Sequence, residues 1–128
     1  MEGLNTLEQA VLDKLLAGDH PVLITLRAQA ERAHVTRREY TGVGFFCDFE
    51  VPSDLRPLAA GSNFRVGDVN ASLDGLEHGA GFVLVVRDGR LATLEGYTYE
   101  EPWPPEVRNL KLTYQREPRE LPFRDSLA

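Results

Sequence analysis

The residues with the clearest potential for chemistry lie in the segment 95–106, which holds three aromatic side chains and four carboxylates but no basic residue. Tyrosine and tryptophan often anchor protein interfaces, and carboxylates steer basic partners toward a surface. The segment therefore predicts a binding surface for a basic protein partner. We expect its contacts from Glu95, Tyr97, Tyr99, Glu100, Glu101 and Trp103. A second interpretation stays open, in which Trp103 and one tyrosine cap the core while prolines shape a crossover.

Other polar residues could carry catalysis only if the fold brought them together. An acid beside an imidazole, as in Glu77-His78, can form a general base, but neighbouring strand residues point to opposite faces. Asp48, Asp68 and Glu95 fall on predicted strands, where converging carboxylates could do acid–base work or hold a cation. Cys47 stands among phenylalanines, which is typical of a small buried hydrophobic residue. We interpret these residues as turn positions, solvated strand faces and core.

Known catalytic and cofactor motifs do not occur in the chain. It has no Gly-x-Ser-x-Gly, no Walker loop and no His-Glu-x-x-His, so we predict no catalytic residue, no metal and no cofactor. A net charge of −6 over 128 residues disfavours direct contact with nucleic acid. The single cysteine, the acidic N-terminus and the lack of a stretch near ~20 apolar residues predict no membrane contact and a cytoplasmic location.

Two amphipathic helices are predicted within the first 33 residues. An apolar stripe over residues 7–16 repeats with helical spacing, and Asn5 and Glu8 have the spacing of a capping box. Asp19-His20-Pro21 predicts a second helix start, with the acid at the N-cap and proline in the first turn. On this second helix Gln29 falls on the polar side. The short connection implies an αα-hairpin.

From residue 35 the apolar period changes to two, which indicates strands. We expect strands at 35–41, 45–51 and 64–73, with a loop at 52–63. The alternation slips at Gly67-Asp68, which predicts a β-bulge.

The clearest element is a hairpin between residues 81 and 96. Apolar runs at 82–86 and 91–95 flank Arg87-Asp88-Gly89-Arg90, and Asp-Gly between such runs favours a type I′ turn with positive φ at both central residues. The run at 82–86 is apolar on both faces and should form a central strand covered by the helices. A last strand is expected at 110–114.

The order of the predicted elements, with two helices followed by hairpin-linked strands, predicts an α+β fold. We expect an N-terminal two-helix hairpin packed on an antiparallel sheet of about five to six strands. Residues 1–115 would form a single domain, and residues 116–128 a loosely ordered C-terminal tail. The sheet face without helices must then be solvated or occupied by a partner.

The stretch 78–99 followed by Pro102-Trp103-Pro104 resembles small uncharacterised bacterial α+β proteins, and so do residues 42–46 and the leucine-rich first helix. The likeness covers most of residues 5–104 and is structural in character. In size, acidity and style the chain also resembles the immunity proteins of bacterial toxin systems. That resemblance implies a non-catalytic inhibitor and transfers no catalytic residue.

Three functions are open at this point. The first is a protein-binding module, most specifically an immunity-like inhibitor of a basic toxin domain such as a nuclease. The second is a small-ligand or enzymatic pocket of the cone-shaped α+β type, with Asp68 or His78 as its polar group. Its expected lining is Phe45, Phe49, Tyr97 and Trp103. The third is a housekeeping subunit that forms a homodimer through an exposed sheet edge.

Overall fold

The computed structural model describes residues 3–123; residues 1–2 and the end of the predicted tail, 124–128, lie outside the described residues. Two N-terminal helices precede six strands, which confirms the α+β fold. The helices are α1 (Thr6–Leu15) and α2 (Pro21–Arg32). The strands are β1 (His34–Tyr40), β2 (Gly44–Glu50), β3 (Phe64–Ser72), β4 (Ala80–Arg87), β5 (Arg90–Thr98) and β6 (Lys111–Tyr114).

The strands form one antiparallel sheet in the order β1-β2-β5-β4-β3-β6. The predicted hairpin is confirmed, since β4 and β5 are joined at Asp88 and Gly89, whose φ angles are 50° and 78°. Both strands are central in the sheet, which for β4 confirms the prediction from the continuous apolar run at 82–86. The register of β3 against β4 shifts between Val66 and Val69, which confirms the predicted bulge.

Both helices cover the same face of the sheet. Strand residues alternate, so Phe45, Cys47 and Phe49 of β2 are buried on the helical side, whereas Phe46 is 40% exposed on the other side. Phe82 on β4 completes the aromatic part of the core. We call the sheet face without helices the open face. The opposite face of the sheet, which the helices cover, is the helical face. The core lies between this face and the two helices.

Helix α1 begins with the capping box that the sequence predicted. The Asn5 side chain accepts from the Glu8 amide at 2.8 Å, and the Glu8 carboxylate accepts from the Asn5 amide at 2.9 Å. The helix then crosses the sheet toward β3. At its C-terminal end the Tyr114 hydroxyl donates to the Lys14 carbonyl at 2.7 Å. Its two ends are therefore fixed at opposite sides of the sheet.

Two predictions for helix α2 are wrong. Its N-cap is His20 rather than Asp19, because Pro21 occupies the first helical position and only His20 can then reach the Val22 amide, through Nδ1 at 3.1 Å. Gln29 is fully buried instead of solvated. Its Nε2 donates to the Gly89 carbonyl at 2.9 Å and its Oε1 accepts from the Leu91 amide at 2.9 Å. The polarity of glutamine alone predicts an exposed position for residue 29.

The chain after β6 returns to the helices. Arg119 forms a bidentate ion pair with Asp68 at 2.7 and 2.8 Å and donates to the carbonyls of Leu15 and Ala17. Its guanidinium also lies 4.3 Å from the ring centre of Tyr114. These contacts attach residue 119 to the C-terminal end of α1, and nothing in the sequence pattern indicates them.

Candidate functional site

The six residues expected to contact a partner are divided between the two sides of the sheet. Glu95 and Tyr97 alternate with buried residues along β5 and lie on the open face. Tyr97 lies across Gly81 of the neighbouring strand, because a Cβ there would be 2.5 Å from the Tyr97 hydroxyl oxygen. The ring of Tyr99 contacts that of Tyr97, with centroids 5.7 Å apart. Glu95, Tyr97 and Tyr99 therefore share one surface.

Glu100 and Glu101 form the turn after β5. Glu100 has a φ of 72° and is exposed, whereas the Glu101 carboxylate accepts from the backbone amides of Glu77 and His78, both at 2.9 Å. These backbone hydrogen bonds hold the pKa of Glu101 below its ordinary value. Glu101 thus fixes the loop before β4, and Glu77 and His78 lie in this loop rather than on a strand.

Trp103 lies on the helical side, away from the two tyrosines. Its amide donates to the Gly42 carbonyl at 2.8 Å, which attaches the segment after β5 to the turn between β1 and β2. Its ring stands edge-on to Phe45 at a centroid distance of 5.3 Å. Phe45 is in turn 6.3 Å from Tyr40. The three rings form one continuous aromatic row at the end of the sheet.

This aromatic row forms part of the wall of an apolar groove that we call the end groove. The groove lies between the N-terminus of α1, the end of β1 and the segment 103–107, and its volume is about 490 Å³. Tyr40 and Val107 at its rim are 61% and 38% exposed, so the groove is open to solvent. Its lining is Asn5, Thr6, Leu7, Glu8, Tyr40, Gly42, Phe45, Trp103, Pro104, Pro105 and Val107.

Two aromatic side chains that line the end groove, Tyr40 and Trp103, each carry a hydrogen-bond donor. Neither the Tyr40 hydroxyl nor the Trp103 indole N–H has a hydrogen-bond partner in the part of the chain that the structure describes. Tyr40 is exposed and Trp103 is half-buried, so neither ring is fully covered by the protein. The groove therefore combines apolar ring faces with two donors, which is the composition of a binding site rather than of a core.

A buried ion pair supports the groove on its helical side. Arg38 on β1 donates through Nε and Nη2 to the two carboxylate oxygens of Glu8, each at 2.7 Å, and Glu8 is 1% exposed. Burial alone raises the pKa of Glu8, but the hydrogen bonds from Arg38 and from the Asn5 amide outweigh it, so the pKa is lowered. Glu8 stays ionised and fully engaged, and it offers no acid or base to a ligand.

Of the residues considered for catalysis, Asp48 and Glu95 line one depression on the open face, whereas Cys47 and Asp68 lie elsewhere. Burial, together with the nearby Glu8 carboxylate, raises the pKa of Cys47 to about 12, so its thiol is protonated and unreactive. Asp68 is paired with Arg119, and Asp48 accepts from the Thr93 hydroxyl at 2.9 Å. Within residues 3–123 no group of three or more His, Cys, Asp or Glu could hold a metal ion.

The ligand pocket expected from the sequence is only partly assembled. Phe45 and Trp103 meet in the end groove, but Tyr97 lies on the open face. Phe49 pairs with Val35 at the far end of β2, so it is absent from the groove. Neither Asp68 nor His78 reaches the groove either.

Sequence reasoning missed the other half of the site. Tyr40 ends β1, and Val107 follows the proline segment, so neither lies in the acidic-aromatic cluster that the composition singled out. The exposed aromatic at the end of a charged strand was the only available signal for Tyr40. Helix α1 contributes its capping-box residues to the groove lining. Their position beside β1 depends on tertiary packing, which a local sequence pattern does not contain.

Comparison of the chain with protein-family models, with curated proteins and with solved structures finds no match. Neither helix in the described part of the chain is long and apolar enough to cross a membrane. The immunity-type resemblance therefore stays a prediction.

Proposed function

We propose that the protein is a non-catalytic binding module that holds an extended, proline-containing segment of a partner protein in the end groove. The observation that carries this proposal is the row of rings from Tyr40 through Phe45 to Trp103, with an unused donor on each outer ring. Polyproline II segments dock in aromatic-lined grooves. Their backbone makes no internal hydrogen bonds, so their carbonyls can accept from such donors.

The open form of the groove favours a chain segment over a compact small molecule. Drug-sized ligands usually have more than about 70% of their surface buried in a pocket. The exposed rim at Tyr40 and Val107 instead allows an extended chain to enter and leave the groove. A small apolar ligand is the second candidate, because a volume of about 490 Å³ lies within the range of small-molecule sites.

The charge of the chain favours a basic partner. At a net charge of −6, electrostatic attraction raises the rate of encounter with a positively charged protein. Groove residues themselves carry no unpaired charge, since Glu8 is bound to Arg38. Charge would thus raise the rate of association, and the aromatic rings would hold the bound segment. An immunity-type inhibitor that binds a basic toxin domain is one form of this function.

The chain has a single tryptophan, so its fluorescence reports directly on the groove. We expect a deca-proline peptide to shift and saturate the Trp103 emission, whereas a decamer of glycine and serine leaves it unchanged. Tyr40→Ala should weaken deca-proline binding at least about tenfold, as loss of an aromatic anchor does.

Tyr99→Ala is the matched control, because Tyr99 is also an exposed tyrosine but contacts Tyr97 on the other side of the sheet. It should bind the peptide as the wild type does. An emission that does not respond to deca-proline contradicts the peptide proposal. If indole or another small apolar probe then saturates the signal and Tyr40→Ala abolishes it, the second candidate is supported instead.

A further inference from the structure

The open face carries a row of side chains that runs straight across the sheet. Asp48 on β2 pairs with Thr93 on β5, which pairs with Val85 on β4. Val85 in turn pairs with Arg65 on β3. Paired residues in an antiparallel sheet point to the same face, so all four side chains share the open face. Asp48 and Arg65 are three strands apart, which is roughly 14 Å at the usual strand spacing.

Opposite charges balance on this face although the whole chain is acidic. The depression around the row is lined by three arginines and three carboxylates, and its volume is about 330 Å³. These charged residues are Arg37, Arg65, Arg87, Glu39, Asp48 and Glu95. Two copies of a chain with a net charge of −6 repel each other, so contact between copies requires a surface where the acidity is offset. The open face is such a surface.

The centre of the sheet lies between β5 and β4, the third and fourth of the six strands. A two-fold axis along the strands at this line turns the four central strands of one open face onto those of another. It superposes β2 of one copy on β3 of the other, and therefore places Asp48 of each copy over Arg65 of the other. The interface is then self-complementary, as a two-fold dimer requires, with the charge contact formed twice.

The same axis places an exposed ring over a residue without a side chain. Phe46 on β2 is 40% exposed on the open face, in the row next to Asp48. The two-fold operation places Phe46 of one copy over the bulge residue Gly67 of the other, which lies beside Val83 on β4.

We infer that the open face joins two copies of this chain about a two-fold axis between β5 and β4, with Asp48 opposite Arg65 in both directions. This interface is separate from the end groove, which it leaves open on the helical side. Glu95 is an unfavourable group in this arrangement, since the axis places it over Val83 of the other copy. Neutralising Glu95 should therefore strengthen the dimer, because a charge buried against an apolar side chain opposes association.

Sedimentation velocity of the full chain tests the inference. The wild type should convert from monomer to dimer between micromolar and millimolar concentration. Arg65→Asp and Asp48→Arg should each weaken the dimer at least about tenfold, because each places like charges in contact twice. An equimolar mixture of the two variants should form the heterodimer, in which both contacts are again between opposite charges.

Arg32→Asp is the matched control, since it makes the same charge change at an exposed position on α2. It should dimerise as the wild type does, and Glu95→Gln should dimerise more tightly. Circular dichroism confirms that each variant is folded. A wild type that stays monomeric at millimolar concentration overturns the inference. So does a dimer that survives both charge reversals, or a mixture of the two variants that stays monomeric.

Discussion

Replacing Arg38 by Met should leave the carboxylate of Glu8 buried without its guanidinium partner. The variant keeps the aliphatic stem of Arg38 and removes the two hydrogen bonds of 2.7 Å to Glu8, which is 1% exposed. Removing one partner of a buried ion pair costs about 3–5 kcal/mol. Native domains are stable by about 5–15 kcal/mol in total, so Arg38→Met should lose a large part of the free energy of unfolding.

The same variant should reverse the effect of pH at this position. In the wild type the pKa of Glu8 is lowered, so ionised Glu8 stabilises the folded state above its unfolded pKa, and this stability is lost as pH falls through the folded value. Without Arg38, burial raises the pKa of Glu8 instead. Stability then increases as the carboxyl becomes protonated, and the difference between wild type and variant should narrow in acid.

Urea unfolding at neutral and mildly acidic pH measures both effects. Arg32→Met is the control, since it breaks the exposed pair with Asp54 and should cost at most about 1 kcal/mol. Glu8→Gln in the Arg38→Met background should restore part of the loss, because it removes the buried charge. A loss below about 1 kcal/mol for Arg38→Met, or a loss independent of pH, would refute the reasoning.

Three further substitutions test other contacts. Gln29→Ala should cost about 2–4 kcal/mol in urea unfolding, because it leaves the Leu91 amide unpaired and a cavity behind; a loss under about 1 kcal/mol would mean that water replaces the side chain. Arg119→Met should lower the melting temperature by removing the partly buried pair with Asp68, and an unchanged value would show that the contact is not stabilising. His20→Ala should cost about 1 kcal/mol and speed amide exchange in the first turn of α2, whereas His20→Asn should behave as the wild type.

The sequence predicts the elements of this fold well where one local rule decides. Asp88-Gly89 between two apolar runs favours a type I′ turn, and the slip of alternation at Gly67-Asp68 identifies the bulge. The prediction that Gln29 is exposed is wrong because a helical pattern sorts residues by polarity alone. The Gln29 amide matches one donor and one acceptor of a turn some 60 residues further along the chain, which no local pattern contains.

The candidate site shows the same limit. Glu95, Tyr97 and Trp103 are close in sequence, and composition predicted one surface for them. Alternation along β5 puts Glu95 and Tyr97 on the open face, and the hydrogen bond from the Trp103 amide to Gly42 turns the chain to the helical side. Proximity in sequence therefore predicts a single partner surface, but it does not show that these residues lie on two different sides of the sheet.

Selection from a phage-displayed library of random dodecamers tests the central claim most directly, because it assumes no partner. Wild-type protein should enrich peptides that contain proline, and those peptides should compete with deca-proline for the Trp103 signal. The Tyr40→Ala variant should enrich none of them, whereas Tyr99→Ala should enrich the same set. Enrichment of peptides without proline, or equal enrichment on Tyr40→Ala, would contradict the proposed binding function of the end groove.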